Sequence, residues 1–243
     1  MKTITKTIFA TALTLFSFTV GQAQWGSKRV VGNGNVTTKT VSTQVYDGLK
    51  LVGSMDVHFV KGNEGTITVK AENNLHEYII IEVKDDNLIV KTKKNYNIKT
   101  KKGIHITVPF QDISRVALVG SGDIDSKDTI SSDNLDVSIT GSGDIILDVR
   151  ASSLDVDIVG SGDINLKGST SDLDLTISGS GDFEGGSLSS ENTKVTISGS
   201  GDASVNAKNN LKARVSGSGD IEYSGNPNTS DKKVSGSGTI SSN

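Results

Sequence analysis

The sequence predicts an all-β protein, a parallel β-helix (β-solenoid) of about 19–20 residues per coil. Three observations point there. The tetrapeptide Gly-Ser-Gly-Asp begins at Gly120, Gly141, Gly160, Gly179, Gly199 and Gly217, and a seventh copy, Gly236-Ser237-Gly238-Thr239, lacks the Asp. Successive copies start 21, 19, 19, 20, 18 and 19 residues apart, a fixed period of the kind that stacked repeats leave in a chain. Around each copy apolar residues alternate: Leu135, Val137 and Ile139, then Leu154, Val156 and Ile158, then Leu173, Leu175 and Ile177, resuming after the turns at Ile145, Leu147 and Val149 or at Ile164 and Leu166. Period two over short β-branched runs means strands with one buried face. The step also decides against a four-stranded propeller blade, which needs roughly 40 residues. A meander with each tetrapeptide as a hairpin turn is the competing topology.

In chain order, the first element is a targeting segment. Lys2 and Lys6 precede an apolar stretch from Thr7 to Val20, and Gly21-Gln22-Ala23 supplies the small residues a signal peptidase reads. Residues 1–23 are therefore expected to be a cleavable signal peptide, giving a secreted, periplasmic or outer-membrane-associated protein with no transmembrane segment in its mature part. The chain contains no Cys, which removes disulfides, thiol nucleophiles, Cys-ligated metals and a lipid-modified cysteine together.

Residues 24–118 form a β-rich but irregular region, expected to begin or cap the solenoid. Leu49 to Val60, Thr66 to Ala71, Tyr78 to Val83, Leu88 to Thr92, Ile104 to Val108 and Ile113 to Val119 all read as strands, with Asp85-Asp86-Asn87 as a hairpin turn. Degraded copies of the repeat stand at Gly53-Ser54-Met55-Asp56 and Gly32-Asn33-Gly34-Asn35. This region carries 14 Lys and Arg against 9 Asp and Glu, whereas residues 119–243 carry 9 against 19. The acidic half argues against nucleic acid, whose phosphates need a basic footprint. A local run of Lys91, Lys93, Lys94, Lys99, Lys101 and Lys102 around Tyr96 reads as a solvated hairpin or as a contact for an anionic surface.

Residues 119–243 form the repetitive solenoid. Gly120 and Gly122, Gly141 and Gly143, Gly160 and Gly162, Gly179 and Gly181, Gly199 and Gly201, and Gly217 and Gly219 would allow a positive φ or remove a Cβ that meets the neighbouring coil. Asp123, Asp144, Asp163, Asp182, Asp202 and Asp220 would then stack about 4.8 Å apart, where unit charges repel by roughly 1 kcal/mol in water. Either backbone donors offset that repulsion, which is the favoured reading, or a cation such as calcium does. The opposite edge of the coil is variable: Ser131 to Asn134, Arg150 to Ser153, Gly168 to Ser171 and Gly185 to Ser187.

Catalysis finds few candidates. His58 and His105 sit in alternating strands and point outward, and His76 falls in a loop. Asp136, Asp155, Asp157 and Asp174 occupy outward positions, and paired carboxylates can cleave glycosidic bonds, but these recur at repeat positions as a solvated wall would. Arg150 and Arg214 stand alone. A column of Thr140, Ser178, Ser198, Ser216 and Ser235, interrupted by Val159, raises an ice-binding alternative. Phe183 and Tyr223 fall at core positions, which leaves the repeat short of sugar-stacking rings. No catalytic residue, cofactor or resident metal is expected.

The signal peptide, the opening segment Tyr46-Asp47-Gly48-Leu49 followed by Gly53-Ser54-Met55-Asp56-Val57, and the Gly-Ser-Gly-Asp series together resemble the putative auto-transporter adhesin, head GIN domain family. The resemblance runs from about Val45 to the C-terminus. It implies a right-handed β-helix similar to pectin-lyase-type folds, with Gly-Ser-Gly turns joining two sheets, and a role in adhesion without recognised catalytic residues. The expected function is a non-catalytic binding or adhesion module facing a surface glycan, protein or polymer. A polysaccharide-active enzyme and a purely structural envelope protein are the alternatives, and an uncapped coil end would permit end-to-end pairing of two copies.

Overall fold

A computed structural model describes residues 27–243, so the expected signal peptide lies outside the described residues. After β1 (Lys28–Val31) and β2 (Val36–Ser42), the strands β3 (Gly48–Gly53) and β4 (Asp56–Lys61) flank the first corner, Gly53-Ser54-Met55. Then follow β5 (Thr66–Glu72), a 3-10 turn at His76–Tyr78, β6 (Ile79–Lys84), β7 (Asn87–Thr92), β8 (Tyr96–Lys99) and β9 (His105–Phe110). The repetitive part comprises β10 (Arg115–Gly120), β11 (Ile124–Ser126), β12 (Ile130–Gly141), β13 (Ile145–Gly160), β14 (Ile164–Gly179), β15 (Phe183–Gly199) and β16 (Ala203–Gly217). It ends with β17 (Ile221–Ser224), β18 (Thr229–Gly236) and β19 (Ile240–Ser242).

The repeats pair in parallel, so the corners are not hairpins. Gly53, Gly120, Gly141, Gly160, Gly179, Gly199, Gly217 and Gly236 lie in one register column. Each corner separates a pre-corner wall, to which β3 and β10 belong, from a post-corner wall, to which β4 and β11 belong. The long strands β13 to β16 run from the post-corner wall through the loose bend into the pre-corner wall without a break in strand conformation.

Stacking at the corner has almost no clearance. The first glycines of the corners have φ between 123° and 143°, a region closed to other residues. A Cβ on Gly179 would fall 2.2 Å from the carbonyl oxygen of Gly160, and one on Gly181 would fall 2.2 Å from that of Gly162. That closeness lets Ser161 N–H donate to Gly141 O at 2.8 Å, Ser180 N–H to Gly160 O at 2.8 Å and Ser200 N–H to Gly179 O at 2.8 Å.

Inside the coil the columns are aliphatic. Leu51, Leu118, Ile139, Ile158, Ile177, Ile197 and Val215 stack in register on the pre-corner wall, each fully or almost fully buried. Each such burial contributes about 1.5–3 kcal/mol. One column departs at its end: Val156, Leu175, Val195 and Ala213 are followed by Lys232, whose ammonium lies 4.9 Å from the Tyr223 ring centroid and donates to the Tyr223 hydroxyl at 3.0 Å.

The N-terminal region folds differently from its reading as a simple succession of strands. Residues 62–114 double back. β7 pairs with the free edge of β3, placing Leu88 beside Leu49, and β9 pairs with the free edge of β4, placing Ile106 beside Val57. The chain then crosses to the other side and lays β10 on β3 and β11 on β4. The new outer rung is covered by antiparallel strands: β6 on β7, β5 on β9, and β2 on β5. The Asp85-Asp86 turn joins β6 to β7 with φ of 48° and 58°, as a two-residue hairpin turn requires. The stretch Leu49 to Val60 is two strands divided at Gly53-Ser54-Met55, where the sequence carries a degraded copy of the repeat. Gly32-Asn33-Gly34-Asn35 is not a corner; it wraps the buried Glu72 carboxylate instead, where a Cβ on Gly32 would fall 2.2 Å from Oε1.

Glu72 ties the cap together. It accepts from Thr100 Oγ1 at 2.6 Å, Gly34 N–H at 3.1 Å and Lys101 N–H at 3.2 Å. The Thr100 hydroxyl leads in holding its pKa below the usual glutamate range, the two backbone donors add to this, and burial opposes them. A lowered folded pKa stabilises the fold above the ordinary carboxylate range, and that stabilisation is lost as pH falls through the folded value.

Two outcomes are expected. Gly179→Ala should cost about 3 kcal/mol and lower Tm by on the order of 5–10 °C, read by circular dichroism. Glu72→Gln should lower Tm at neutral pH and flatten the loss of Tm between about pH 5 and pH 3 relative to the parent.

Candidate functional site

The strand register writes the outward residues into columns. On the corner, Asp144 N–H donates to Asp123 Oδ1 at 3.2 Å, Asp163 to Asp144 at 3.3 Å, Asp182 to Asp163 at 2.9 Å, Asp202 to Asp182 at 2.8 Å and Asp220 to Asp202 at 2.7 Å. Each carboxylate thus takes the amide of the next coil, which offsets repulsion along the ladder. In the seventh copy Thr239 stands in place of the Asp and donates both its N–H, at 2.7 Å, and its hydroxyl, at 2.9 Å, to Asp220. Among the described residues, no group of three or more His, Asp or Glu side chains is arranged to hold a metal ion.

The pre-corner wall carries a charged column in strict register: Arg115, Asp136, Asp155, Asp174, Lys194, Lys212 and Asp231. Arg115 pairs with Asp136 at 3.0 Å and Lys194 with Asp174 at 2.7 Å. Asp155 stands between the two pairs without a cation of its own among the ion pairs of the described residues. Desolvation pushes its pKa up, and the charges of Asp136, Asp174 and Asp157 push the same way. Two open hollows, of about 460 and about 700 Å³, share Asp155, Asp174 and Lys194 in their linings, so the charged column separates a smaller groove on the corner side from a larger groove on the bend side.

A second polar column borders this groove at the bend. Asn192 Nδ2 donates to Asp172 Oδ1 at 2.8 Å, Asn210 Nδ2 to Asn192 Oδ1 at 2.6 Å, and Thr229 Oγ1 to Asn210 Oδ1 at 2.5 Å. Between the columns Leu173, Thr193 and Leu211 form a nearly buried floor. Donors and acceptors therefore recur at the coil spacing on both sides of an open trough. The sequence located Asp136, Asp155 and Asp174 of the charged column but missed Lys194, Lys212, Asp231 and the amide ladder, because shifts in step length hide them until the register is known.

Other expected residues fall as follows. Thr140, Val159, Ser178, Ser198, Ser216 and Ser235 do form one column. Arg214, read as isolated, pairs with Asp231 and donates to its carbonyl oxygen at 2.8 Å. His58 and His105, read as outward-facing strand residues, meet on the post-corner wall. His58 Nε2 lies 3.2 Å from His105 Nδ1, Asp125 Oδ2 lies 2.6 Å from His58 Nδ1, and Asp56 Oδ2 lies 3.4 Å from His105 Nδ1. The sequence signal for this cluster was the spacing Asp56-x-His58 on one strand face, but its partner arrives only through the doubling back of β9. His76, read as a loop residue, sits in the 3-10 turn with Nε2 3.0 Å from Thr37 Oγ1.

The family model described as "Putative auto-transporter adhesin, head GIN domain" matches residues 45–227. Among solved structures, a putative adhesin from Bacteroides fragilis superposes with a TM-score of 0.84 at 23% identity, over 88% of this chain and 100% of that one. A protein from Parabacteroides distasonis described as a putative lipid binding protein gives 0.75 at 24% identity, over 89% and 100%. A putative adhesin from the same organism gives 0.70 at 27% identity, again over 89% and 100%. Among curated proteins none matches the chain. No helix among the described residues is long and apolar enough to cross a membrane.

The raised pKa of Asp155 has a definite sign. Its protonated form is favoured by the fold, so the associated stability is present at low pH and lost as pH rises through the folded value. Asp155→Asn should therefore raise Tm at neutral pH by on the order of 1–2 °C, with the gain vanishing in acid, as a thermal melt series across pH would show.

Proposed function

Because the chain belongs to the auto-transporter adhesin head GIN domain family, we propose that it is an exported adhesion module that binds through the pre-corner groove. The ligand is a polar polymer or a regular cell-surface array lying along the stack axis. One observation carries this reading: charged and amide side chains flank the trough in register, repeating at the rung spacing. Arg115, Lys194 and Lys212 offer donors, while Asp155 and Asp174 offer acceptors. A ligand whose own polar groups repeat would meet several of them at once, and multiplicity would compensate for weak single contacts.

The chemistry favours holding over turnover. Asp136 and Asp174 are occupied by cations, and Asp155 is a protonation-biased group on an exposed strand with no positioned partner on a substrate-enclosing wall. Binding energy here comes from charge and hydrogen-bond complementarity along an open surface, as expected of an adhesin.

A glycan array and pull-downs from envelope fractions with the purified protein should identify a ligand. Its affinity should fall at least about tenfold in the triple variant Asp155→Asn, Asp174→Asn, Lys194→Gln. Full retention of binding by that variant would move the site elsewhere. Turnover of a polysaccharide, abolished by changing one of these acids, would replace the adhesion reading by an enzymatic one.

A further inference from the structure

We propose that the N-terminal cap carries a second interaction surface, which docks on anionic phospholipid headgroups and holds the solenoid against a bilayer. The groove on the pre-corner wall plays no part in it. The cap surface is made by a pairing invisible in the sequence. β1 lies parallel on β8, with Lys28 opposite Tyr96, Arg29 opposite Asn97 and Val31 opposite Lys99. Lys28 N–H donates to Asn95 O at 2.8 Å and Gly32 N–H to Lys99 O at 2.9 Å, closing both ends of the ladder. Two cations of the N-terminal arm thereby join the lysine run that lies far along the chain.

The assembled patch comprises Lys28, Arg29, Lys93, Lys94, Lys99, Lys101 and Lys102, all exposed. None of these seven takes part in an ion pair among the described residues. Lys91, beside them, is paired with Glu82 at 2.6 Å. Glu72, buried and held ionised by the Thr100 hydroxyl and the Gly34 and Lys101 N–H groups, sets one negative charge near Lys101, which leaves the patch strongly basic. Seven like charges, three on this two-stranded sheet and four in the segments at the ends of β8, repel each other, and an external anion relieves that repulsion.

The side chains among the cations select a bilayer over a soluble polyanion. The rings of Tyr78 and Tyr96 pack with centroids 4.7 Å apart, and the Lys93 ammonium lies 5.6 Å from the Tyr96 centroid. Val31, opposite Lys99 on the paired strand, is 47% exposed. The half-exposed Tyr96 lies under the Lys93 ammonium, and on the other face of the sheet Arg29 and Lys99 flank Val31; such pairings of ring or apolar side chain with cation suit the headgroup layer, where rings sit at the interface and each nearby Lys or Arg adds attraction to anionic lipid.

Sedimentation with vesicles tests this. The purified protein should bind vesicles of about 30 mol% phosphatidylglycerol in phosphatidylcholine, and not pure phosphatidylcholine vesicles. Raising salt from about 50 mM to about 0.5 M should release it. The variant Lys93→Gln, Lys94→Gln, Lys101→Gln, Lys102→Gln should bind at least about tenfold more weakly, whereas the groove variant Asp155→Asn, Asp174→Asn should bind as the parent does. A circular dichroism spectrum checks the fold of the quadruple variant, and Lys28→Gln with Arg29→Gln replaces it if the fold is lost. Undiminished binding by a folded patch variant, equal binding to neutral vesicles, or binding of polygalacturonate in place of vesicles would each overturn the proposal.

Discussion

The contact on which this structure depends is the near-touching of one Gly-Ser-Gly corner on the next. A Cβ at most corner glycines would come within 1.9–2.3 Å of a carbonyl oxygen one coil away. Such an approach leaves one permitted residue type and one permitted register. The glycines therefore act as alignment pins, and the strands on either side inherit their alignment from them. A β-strand that slips by one residue turns its core face to water. Here that error is blocked at every rung, while the opposite bend tolerates register shifts near Gly185 and Ser189.

Fixed register converts a repeating sequence into patterned surfaces. The same alignment that stacks Ile139, Ile158, Ile177 and Ile197 inside also stacks Asp136, Asp155 and Asp174 outside. Like charges in a column are a cost of regularity, and the protein meets it in two ways. On the corner, each aspartate accepts the next coil's amide. On the wall, the column turns basic at Lys194 and begins from Arg115, leaving Asp155 alone with its neighbours' charges. The electrostatic character of the groove is thus a by-product of how the stack tolerates itself.

Much of this was legible before any coordinates. Seven copies of one tetrapeptide, with alternating Leu, Val and Ile between them, have few folded solutions, and local turn chemistry agrees with strand period throughout. The N-terminal region was legible only as strands. Their order was not, because β7 and β9 return to the outer edge of β3 and β4, and nothing in the alternation of Leu88 and Val90 says which neighbour they choose. The meeting of His58 with His105, and of Val31 with Lys99, follows from that return and from β1 beside β8. The Thr in place of Asp in the seventh repeat keeps the donor half of the ladder, giving its N–H and hydroxyl to Asp220.

The two ends of the stack are finished by unlike means. At the front, folded-back strands cover the first rung. At the rear, the column that runs Val156, Leu175, Val195 and Ala213 simply changes chemistry at Lys232. Another molecule laid on this face would have to desolvate that ammonium, which costs several kcal/mol. One basic side chain thereby makes strand addition at this rung unfavourable, in the way charged residues guard an exposed sheet edge.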